Sequence, residues 1–367
     1  MDQTSQTLGY ADVLRDASRG VMKVPQKEFL DEGLYPVIDQ GQQLIAGYWN
    51  GDNGLFRDVP AIVFGDHTRC IKYIEEPFVA GADGVKILKP VRSNDNPRYL
   101  YHALRAADIP SLGYSRHFKL VKELSFHVAE RAEQDRIVEH LDSIEHQLIL
   151  ADNQIEKYDK LIKSRFVEMF GDPLENPKQV PIMRIDEIAD VQTGATPLRS
   201  NAAYYGGAIP WVKTGEVAAG LLEEPEETIT ELALQETNCK LFPAGTILVA
   251  MYGQGDTRGK AAILRQEAAT NQACAAILLN EGYDADFILA QLNLRYEDLR
   301  SRSLGGNQKN LSLKIIKAYE LIVPPIEQQR AFMSFVQQAD KLKFETQQVI
   351  DKLQMLYDSL AQEYFGS

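Results

Sequence analysis

IVEHLDSIEHQLILADNQIEKYDKLIKSRFVEMF, running from Ile137 to Phe170, sets apolar side chains at Ile137, Leu141, Ile144, Leu148, Ala151, Ile155, Tyr158 and Ile162. The steps alternate between four and three, which is the period of a coiled-coil seam. After Ile162 the phase slips to Phe166, Met169 and Phe170, and the helix is expected to end at Gly171-Asp172-Pro173. Glycine permits a left-handed cap there, and proline cannot continue the ladder. At about 1.5 Å of rise per residue, some forty residues make a rod of roughly 60 Å.

The C-terminus repeats the period. Phe332, Phe335, Ala339, Leu342, Thr346, Val349, Leu353, Leu356 and Leu360 again step by three and four, ending near Tyr364-Phe365-Gly366. An amphipathic rod of this length leaves its stripe in water unless something covers it. Two such rods in one chain most simply pair with each other.

The approaches to the two rods match as well. Glu133-Gln134-Asp135-Arg136 corresponds to Glu327-Gln328-Gln329-Arg330, and Ser111-Leu112-Gly113 to Ser303-Leu304-Gly305. Earlier, Tyr35-Pro36-Val37-Ile38-Asp39-Gln40-Gly41 sits where the second half has Ile209-Pro210-Trp211-Val212-Lys213-Thr214-Gly215. Their shared order implies an internal duplication, each copy a globular unit followed by a long helix. The expected organisation is a unit over 1–125, a helix over 126–170, a second unit over 171–323 and a second helix over 324–367. Within the units, short apolar runs such as Val59 to Phe64, Gly84 to Leu88 and Phe242 to Ala250 alternate with turn signals, and helical spacing follows at Tyr99 to Ala107 and Phe287 to Leu299. That is an α+β pattern.

The composition, 44% hydrophobic and 25% charged, is that of a globular protein with room for two cores in 367 residues. No apolar run is long enough to span a bilayer, and the first residues lack the regions of a signal peptide, so a cytoplasmic location with no membrane partner is expected. Cys70, Cys239 and Cys274 are isolated from one another and offer neither a disulfide framework nor a zinc pattern. His67-Thr68-Arg69-Cys70 holds two possible metal ligands that nothing completes, so no metal is expected.

A net charge of −13 excludes a broadly basic nucleic-acid binder. Residues 1–125 carry 15 Lys and Arg against 16 Asp and Glu, and 171–323 carry 14 against 20. Any DNA contact must therefore come from local basic faces or from basic partners. Glu223-Glu224-Pro225-Glu226-Glu227 reads as a solvated turn.

Catalytic signatures are missing. There is no nucleophile elbow, P-loop or HExxH pair, and Pro324-Pro325 lacks the Asn or Asp before it and the aromatic after it that adenine methylation needs. Met251-Tyr252-Gly253-Gln254-Gly255 has the wrong spacing for a dinucleotide loop, and its glycines suit a recognition loop that approaches a ligand closely. The loops are rich in groups able to grip phosphates or read base edges. In the second half these are Thr193, Thr196, Arg199, Tyr204, Lys213, Thr214, Gln254, Arg258, Lys260, Gln272, Gln308 and Lys309, and in the first Arg57, Arg69, Lys72, Arg116, His117 and Lys119.

Ile209 to Glu216, Asn271-Gln272, Gly305-Gly306-Asn307-Gln308 and Val323 to Arg330 together resemble the DNA specificity subunit of type I restriction-modification systems. Gly113 to Lys119 is similar to a stretch at that place in some members. The resemblance implies a non-catalytic subunit whose two helices form an antiparallel coiled coil, with target-recognition units in a pseudo-two-fold arrangement, each reading half of a split, asymmetric site on double-stranded DNA. It also implies partners: two modification subunits that hold S-adenosylmethionine and methylate adenine, and restriction subunits that use ATP and Mg. The first unit departs further from the family pattern, with Ala129-Glu130 in place of the proline pair and Asp39-Gln40 in place of Lys213-Thr214. A self-contained DNA-modifying enzyme and a coiled-coil scaffold that never touches DNA are the alternative readings. A rod of about 60 Å would cap the half-site separation at under two duplex turns.

Overall fold

The computed structural model describes residues 6–366 apart from 82, 83, 114, 220, 221, 223, 224, 254 and 304–309. The chain divides into two compact units, one from residues up to 154 together with those from 345 onward, the other from residues 155–344. Strands of the first unit are β1 (Gln6–Gly9), β2 (Leu14–Asp16), β3 (Lys23–Val24), β4 (Tyr35–Ile38), β5 (Gly47–Trp49), β6 (Leu55–Phe56), β7 (Ala61–Gly65), β8 (Ile71–Ile74), β9 (Phe78–Gly81), β10 (Val85–Pro90) and β11 (Ser125–Val128). The second unit has β12 (Ile182–Arg184), β13 (Ala189–Thr193), β14 (Tyr205–Val212), β15 (Thr228–Ile229), β16 (Leu241–Phe242), β17 (Ile247–Ala250), β18 (Ala261–Ile263), β19 (Ala268–Thr270), β20 (Cys274–Leu279) and β21 (Glu320–Ile322).

Their sheets repeat one α+β plan. The order β2-β10-β7-β8 recurs as β13-β20-β17-β18, and the pair β1-β11 recurs as β12-β21. β4 runs parallel to β9 with Val37 opposite Val79, and β14 runs parallel to β19 with Trp211 opposite Ala269. The apolar strand runs exist because both faces of the main sheet are covered. Ile62 and Phe64 of β7 enter one core while Ala61 and Val63 enter another. Ile247 and Val249 of β17 are likewise separated from Leu248 and Ala250.

The long helices run Arg131–Phe170 and Ile326–Phe365. The expected start at 126 moves to Arg131 because Ser125–Val128 pairs with β1 instead. Within the first unit, the start of the first helix lies beside the end of the second, with His140 Nδ1 3.0 Å from the Tyr364 hydroxyl. Within the second unit, the end of the first lies beside the start of the second, where Phe166 and Phe332 meet edge to face at 5.4 Å and Lys343 pairs with Asp159 at 2.5 Å. The pairing is antiparallel.

The seam differs from the expected one in phase. Ile137, Leu141 and Ile144 are buried, and Leu148, Ile155, Tyr158, Ile162, Phe335, Leu353 and Leu360 are half-buried. Leu342, Val349 and Leu356, however, are 44%, 49% and 48% exposed. Lys343, Ile350 and Tyr357, one residue further on, take the inner places, so the second helix steps four-three where the apolar pattern suggested three-four. Both phases satisfy the period, and tertiary packing selects between them.

A buried glutamine fixes each long helix to its unit. Gln134 and Gln329 are each 1% exposed. Gln134 Nε2 donates to the Ala129 carbonyl at 2.9 Å, and its Oε1 accepts from Asn96 N at 2.7 Å. Gln329 repeats both bonds, donating to the Pro324 carbonyl at 2.7 Å and accepting from Asp284 N at 3.1 Å. Asn96 and Asp284 are the N-caps of the equivalent helices Pro97–Ala106 and Ala285–Leu294. The true repeat therefore sets Gln134 against Gln329, one residue away from the Gln328 that the sequence match suggested.

This packing makes the stability of each joint testable. Gln134→Leu or Gln329→Leu leaves a backbone N–H and a carbonyl buried without partners, and should lower chemical-denaturation stability of the corresponding unit by about 2–4 kcal/mol. Tyr357→Ala, on the inner face, should cost about 3 kcal/mol, whereas Leu356→Asp stays within about 0.5 kcal/mol. Equal destabilisation by those last two would restore the three-four seam.

Candidate nucleic-acid interface

The main sheet of the second unit gathers most of its candidate residues at one end. Thr193 closes β13 opposite Ala275, Ala250 closes β17 opposite Cys274, and Ala261 opens β18 opposite Val249. The loops 194–204, 251–260 and 271–273 consequently leave from that end. The parallel strands β14 and β19 bring Val212 and Thr270 side by side, which adds Lys213, Thr214 and Gln272 to the cluster. Thr196 Oγ1 donates to Gln272 Oε1 at 2.5 Å, tying the first of these loops to the last. Gly194 makes the crossing possible, since a Cβ there would lie 1.8 Å from the Thr270 carbonyl oxygen.

The cations at this end are engaged. Arg199 stacks over Tyr205 at 4.8 Å and Trp211 at 4.9 Å while its guanidinium pairs with Glu227. Lys213 Nζ lies 2.9 Å from Glu226 and 3.1 Å from Glu227. Hydrogen bonds donated to these carboxylates raise the pKa of Arg199 and of Lys213, and the Arg199 bond, against slight burial, lowers that of Glu227. Tyr204 donates to Glu236 at 3.0 Å. The acidic run is thus more than a solvated turn at Glu226 and Glu227, and its partners 13 to 28 residues upstream gave no local signal.

The 251–260 loop is held from beneath. Arg300 donates to the Arg258 carbonyl at 3.1 Å and the Gly255 carbonyl at 2.5 Å, and Tyr296 donates to the Asp256 carbonyl at 2.7 Å. Lys260 Nζ sits 4.7 Å over the Tyr296 ring. Gly253, Gly255 and Gly259 take φ of 148°, 56° and 92°, so this glycine spacing serves the loop's own backbone. Gln254, Gln308 and Lys309 lie outside the described residues.

In the first unit the corresponding strand ends, Gly65 opposite Val85 and Phe64 opposite Ile71, bring together the 66–70 turn and the segment after β4. His67 N donates to Gln40 Oε1 at 3.2 Å. Two candidates here are internal and are corrected. Lys72 is 5% exposed, with Nζ 2.9 Å from the Asp39 carbonyl and 3.3 Å from its carboxylate, and burial lowers its pKa. His117 is 1% exposed; its Nε2 accepts from Leu112 N at 2.9 Å, which leaves Nδ1 to donate to the Asp66 carbonyl at 3.0 Å. Arg69, at φ 62°, donates to the Ile109 carbonyl at 2.9 Å and so braces the turn. Arg57, Arg116 and Lys119 are exposed, Arg116 with its Nε 4.0 Å from the Asp66 carboxylate.

Among the described residues, the grouping most like a metal site is His102, Asp142 and Glu145. Arg98 already bonds Asp142 at 2.7 Å and Glu145 at 2.7 Å, and Arg105 also pairs with Glu145. Two guanidinium charges against the same carboxylates make a poor seat for a cation, and the cluster reads as a structural network.

Tandem copies of one α+β module, with loops of unlike sequence at a strand end and each followed by a long helix, define a duplicated two-unit protein. Residues 177–355 match the type I restriction modification DNA specificity domain, and the relatives by sequence and by fold are specificity subunits of type I restriction-modification systems. The chain is 22% identical over 340 residues to the type I restriction enzyme EcoR124I/EcoR124II specificity subunit of Escherichia coli, an alignment covering 87% of this chain and 82% of that protein. It is 27% identical over 185 residues to the MjaIX specificity subunit of Methanocaldococcus jannaschii, covering 48% and 42%. In fold it is similar to the type I S subunit from M. genitalium, with a TM-score of 0.57 and 15% identity over 100% of this chain and 98% of that one. A chain solved in work on complex assembly and conformational transition of a type I R-M system gives 0.59 and 14%, covering 99% and 98%.

Arg258→Ala combined with Lys260→Ala should flatten the log–log salt dependence of DNA binding by up to about 1.8, near 0.9 for each phosphate no longer neutralised. Lys72→Met, at a buried lysine, should leave that slope unchanged. Fluorescence anisotropy across a potassium chloride series separates the two outcomes, and a flattened slope in the Lys72 variant would overturn its structural assignment.

Proposed function

We propose that this chain is the sequence-reading, non-catalytic subunit of a type I restriction-modification complex, each globular unit recognising one half of a bipartite, asymmetric DNA site. The observation that carries this reading is the pairing of one fold with two loop chemistries. Asp39, Gln40 and the 66–70 turn stand in the first unit where Lys213, Thr214 and the 251–260 loop stand in the second. Equal scaffolds with unlike loops suit unlike half-sites.

The helices are read as the docking surfaces for two modification subunits. Ile149, Leu150 and Leu161 on the first helix, and Phe344, Val349, Met355 and Leu356 on the second, are 48% to 64% exposed, more apolar surface than an isolated helix pair needs. S-adenosylmethionine, ATP and Mg are assigned to the partner subunits, restriction subunits among them, and the complex to the cytoplasm. Among the described residues no helix is long and apolar enough to cross a membrane.

Modified-base sequencing of DNA from cells expressing this chain with its modification partner should find methyl-adenine confined to a split motif with unlike halves and a fixed gap. Methylation without sequence preference would sink the proposal. Titration calorimetry of the purified chain with S-adenosylmethionine should show no heat of binding. Micromolar affinity would favour a self-contained methyltransferase.

A further inference from the structure

Arg199, Lys213, Glu226 and Glu227 form a closed set of two cations and two anions at the end of β14. Its backbone is fixed from below by Glu216, only 8% exposed, whose carboxylate accepts from Lys213 N at 2.7 Å and from Glu226 N at 2.8 Å. Trp211 N bonds the Glu227 carbonyl at 3.0 Å, which holds Glu227 beside the aromatic platform on which Arg199 lies. The arrangement is therefore built into the strand, although the charged tips reach solvent: the side chains of Arg199 and Glu226 are 54% and 78% exposed.

A DNA interface ordinarily presents free cations, because each phosphate they neutralise releases counterions and contributes affinity regardless of sequence. Here both cations at the strand end already have carboxylate partners. We propose that Glu226 and Glu227 are specificity-determining residues that keep Arg199 and Lys213 from binding phosphate indiscriminately, so that the pairs open only where base contacts in a matching half-site offset the cost of parting them. This rests on the recognition role proposed above. Discrimination by an element that penalises wrong partners is a general route to specificity, and isolated duplex offers these cations little more than the glutamates already do. Hydrogen bonding holds Glu227 below the ordinary carboxylate range and Lys213 above the ordinary lysine one, so that pair stays ionised at neutral pH.

The test uses the full chain assembled with its modification subunits. Binding to a duplex lacking the methylated motif is measured across a salt series for wild type, Glu226→Gln, the double variant Glu226→Gln/Glu227→Gln, and Glu281→Gln. The last removes the same charge from the turn beyond the other end of β20 and controls for net charge. The double variant should bind motif-free DNA severalfold more tightly at low salt, with a log–log slope steeper by about 0.9 for each released cation, up to about 1.8. Its preference for motif over random duplex should fall. Should the double variant fail to assemble, Glu226→Gln alone should still steepen the slope in the same direction.

Unchanged slopes, or an equal effect from Glu281→Gln, would overturn the proposal. So would a changed base identity in one half-motif with unaltered motif-free binding, which would make Glu227 a direct base reader. The absence of any split motif from the wild-type complex would instead remove the recognition role itself.

Discussion

The amide of one glutamine per repeat sets the geometry on which each unit depends. Gln134 and Gln329 sit in the first turn of a forty-residue helix, where backbone N–H groups lack helical partners and the chain has just left a strand. Each side chain bonds back to the carbonyl that precedes its helix and across to the capped end of a second helix packed on the sheet. One planar group thereby locks three segments, and because it is buried, the alternatives leave polar atoms unsatisfied. Glutamine is long enough to reach both targets and carries a donor and an acceptor at the right ends. Glutamate and leucine lack one or both.

Beyond that shared joint, the two copies have diverged in how they hold their helices. Phe166, Phe170, Phe287 and Phe332 fill the second joint, with ring centroids 5.2 to 6.1 Å apart. Tyr99 and Phe365 preserve one of those contacts in the first unit at 5.1 Å. Around them the first joint is polar: buried His102 bridges the Tyr357 hydroxyl at 2.8 Å and Asp142 at 2.7 Å, and Arg98 links Asp142 to Glu145. Burial opposes ionisation of Asp142, but bonds from His102 and Arg98 hold its pKa below the ordinary carboxylate range. Acid below about pH 4 should therefore loosen the first joint, as Asp142 loses its charge and the stability present above its unfolded pKa is withdrawn.

Much of the architecture was legible because it is periodic. The helices announce themselves by a repeat sustained from Ile137 to Ile162 and from Phe332 to Leu360, and the duplication by an ordered set of short matches. Phase is harder to read than period. Leu342, Val349 and Leu356 recur every seven residues beside the true seam, and hydrophobicity alone prefers them to Lys343. Lys72 carried a local signal that residue type obscured: in β8 it alternates with the half-buried Ile71 and Tyr73 and shares the more deeply buried face with Ile74. His117 carried none, since its partners Asp66 and Leu112 come from separate turns. The pairing of Arg199 with Glu227 is equally invisible in one dimension, because it exists only where two loops meet β14.

Charge then constrains how such a chain can hold DNA at all. With a net charge of −13, long-range attraction to a polyanion cannot come from this subunit as a whole, and Arg199 and Lys213 at the end of β14 are already matched by acids. On the proposed reading, affinity independent of sequence enters mainly through the partner subunits, with local cations such as Arg258 and Lys260 adding to it, while this chain supplies differences between sequences. That division explains why acidic residues are tolerated beside the proposed reading loops. A reader that bound phosphate strongly by itself would occupy random DNA together with its partners, and the ratio of specific to nonspecific affinity, which governs target choice among a genome's competing sites, would fall.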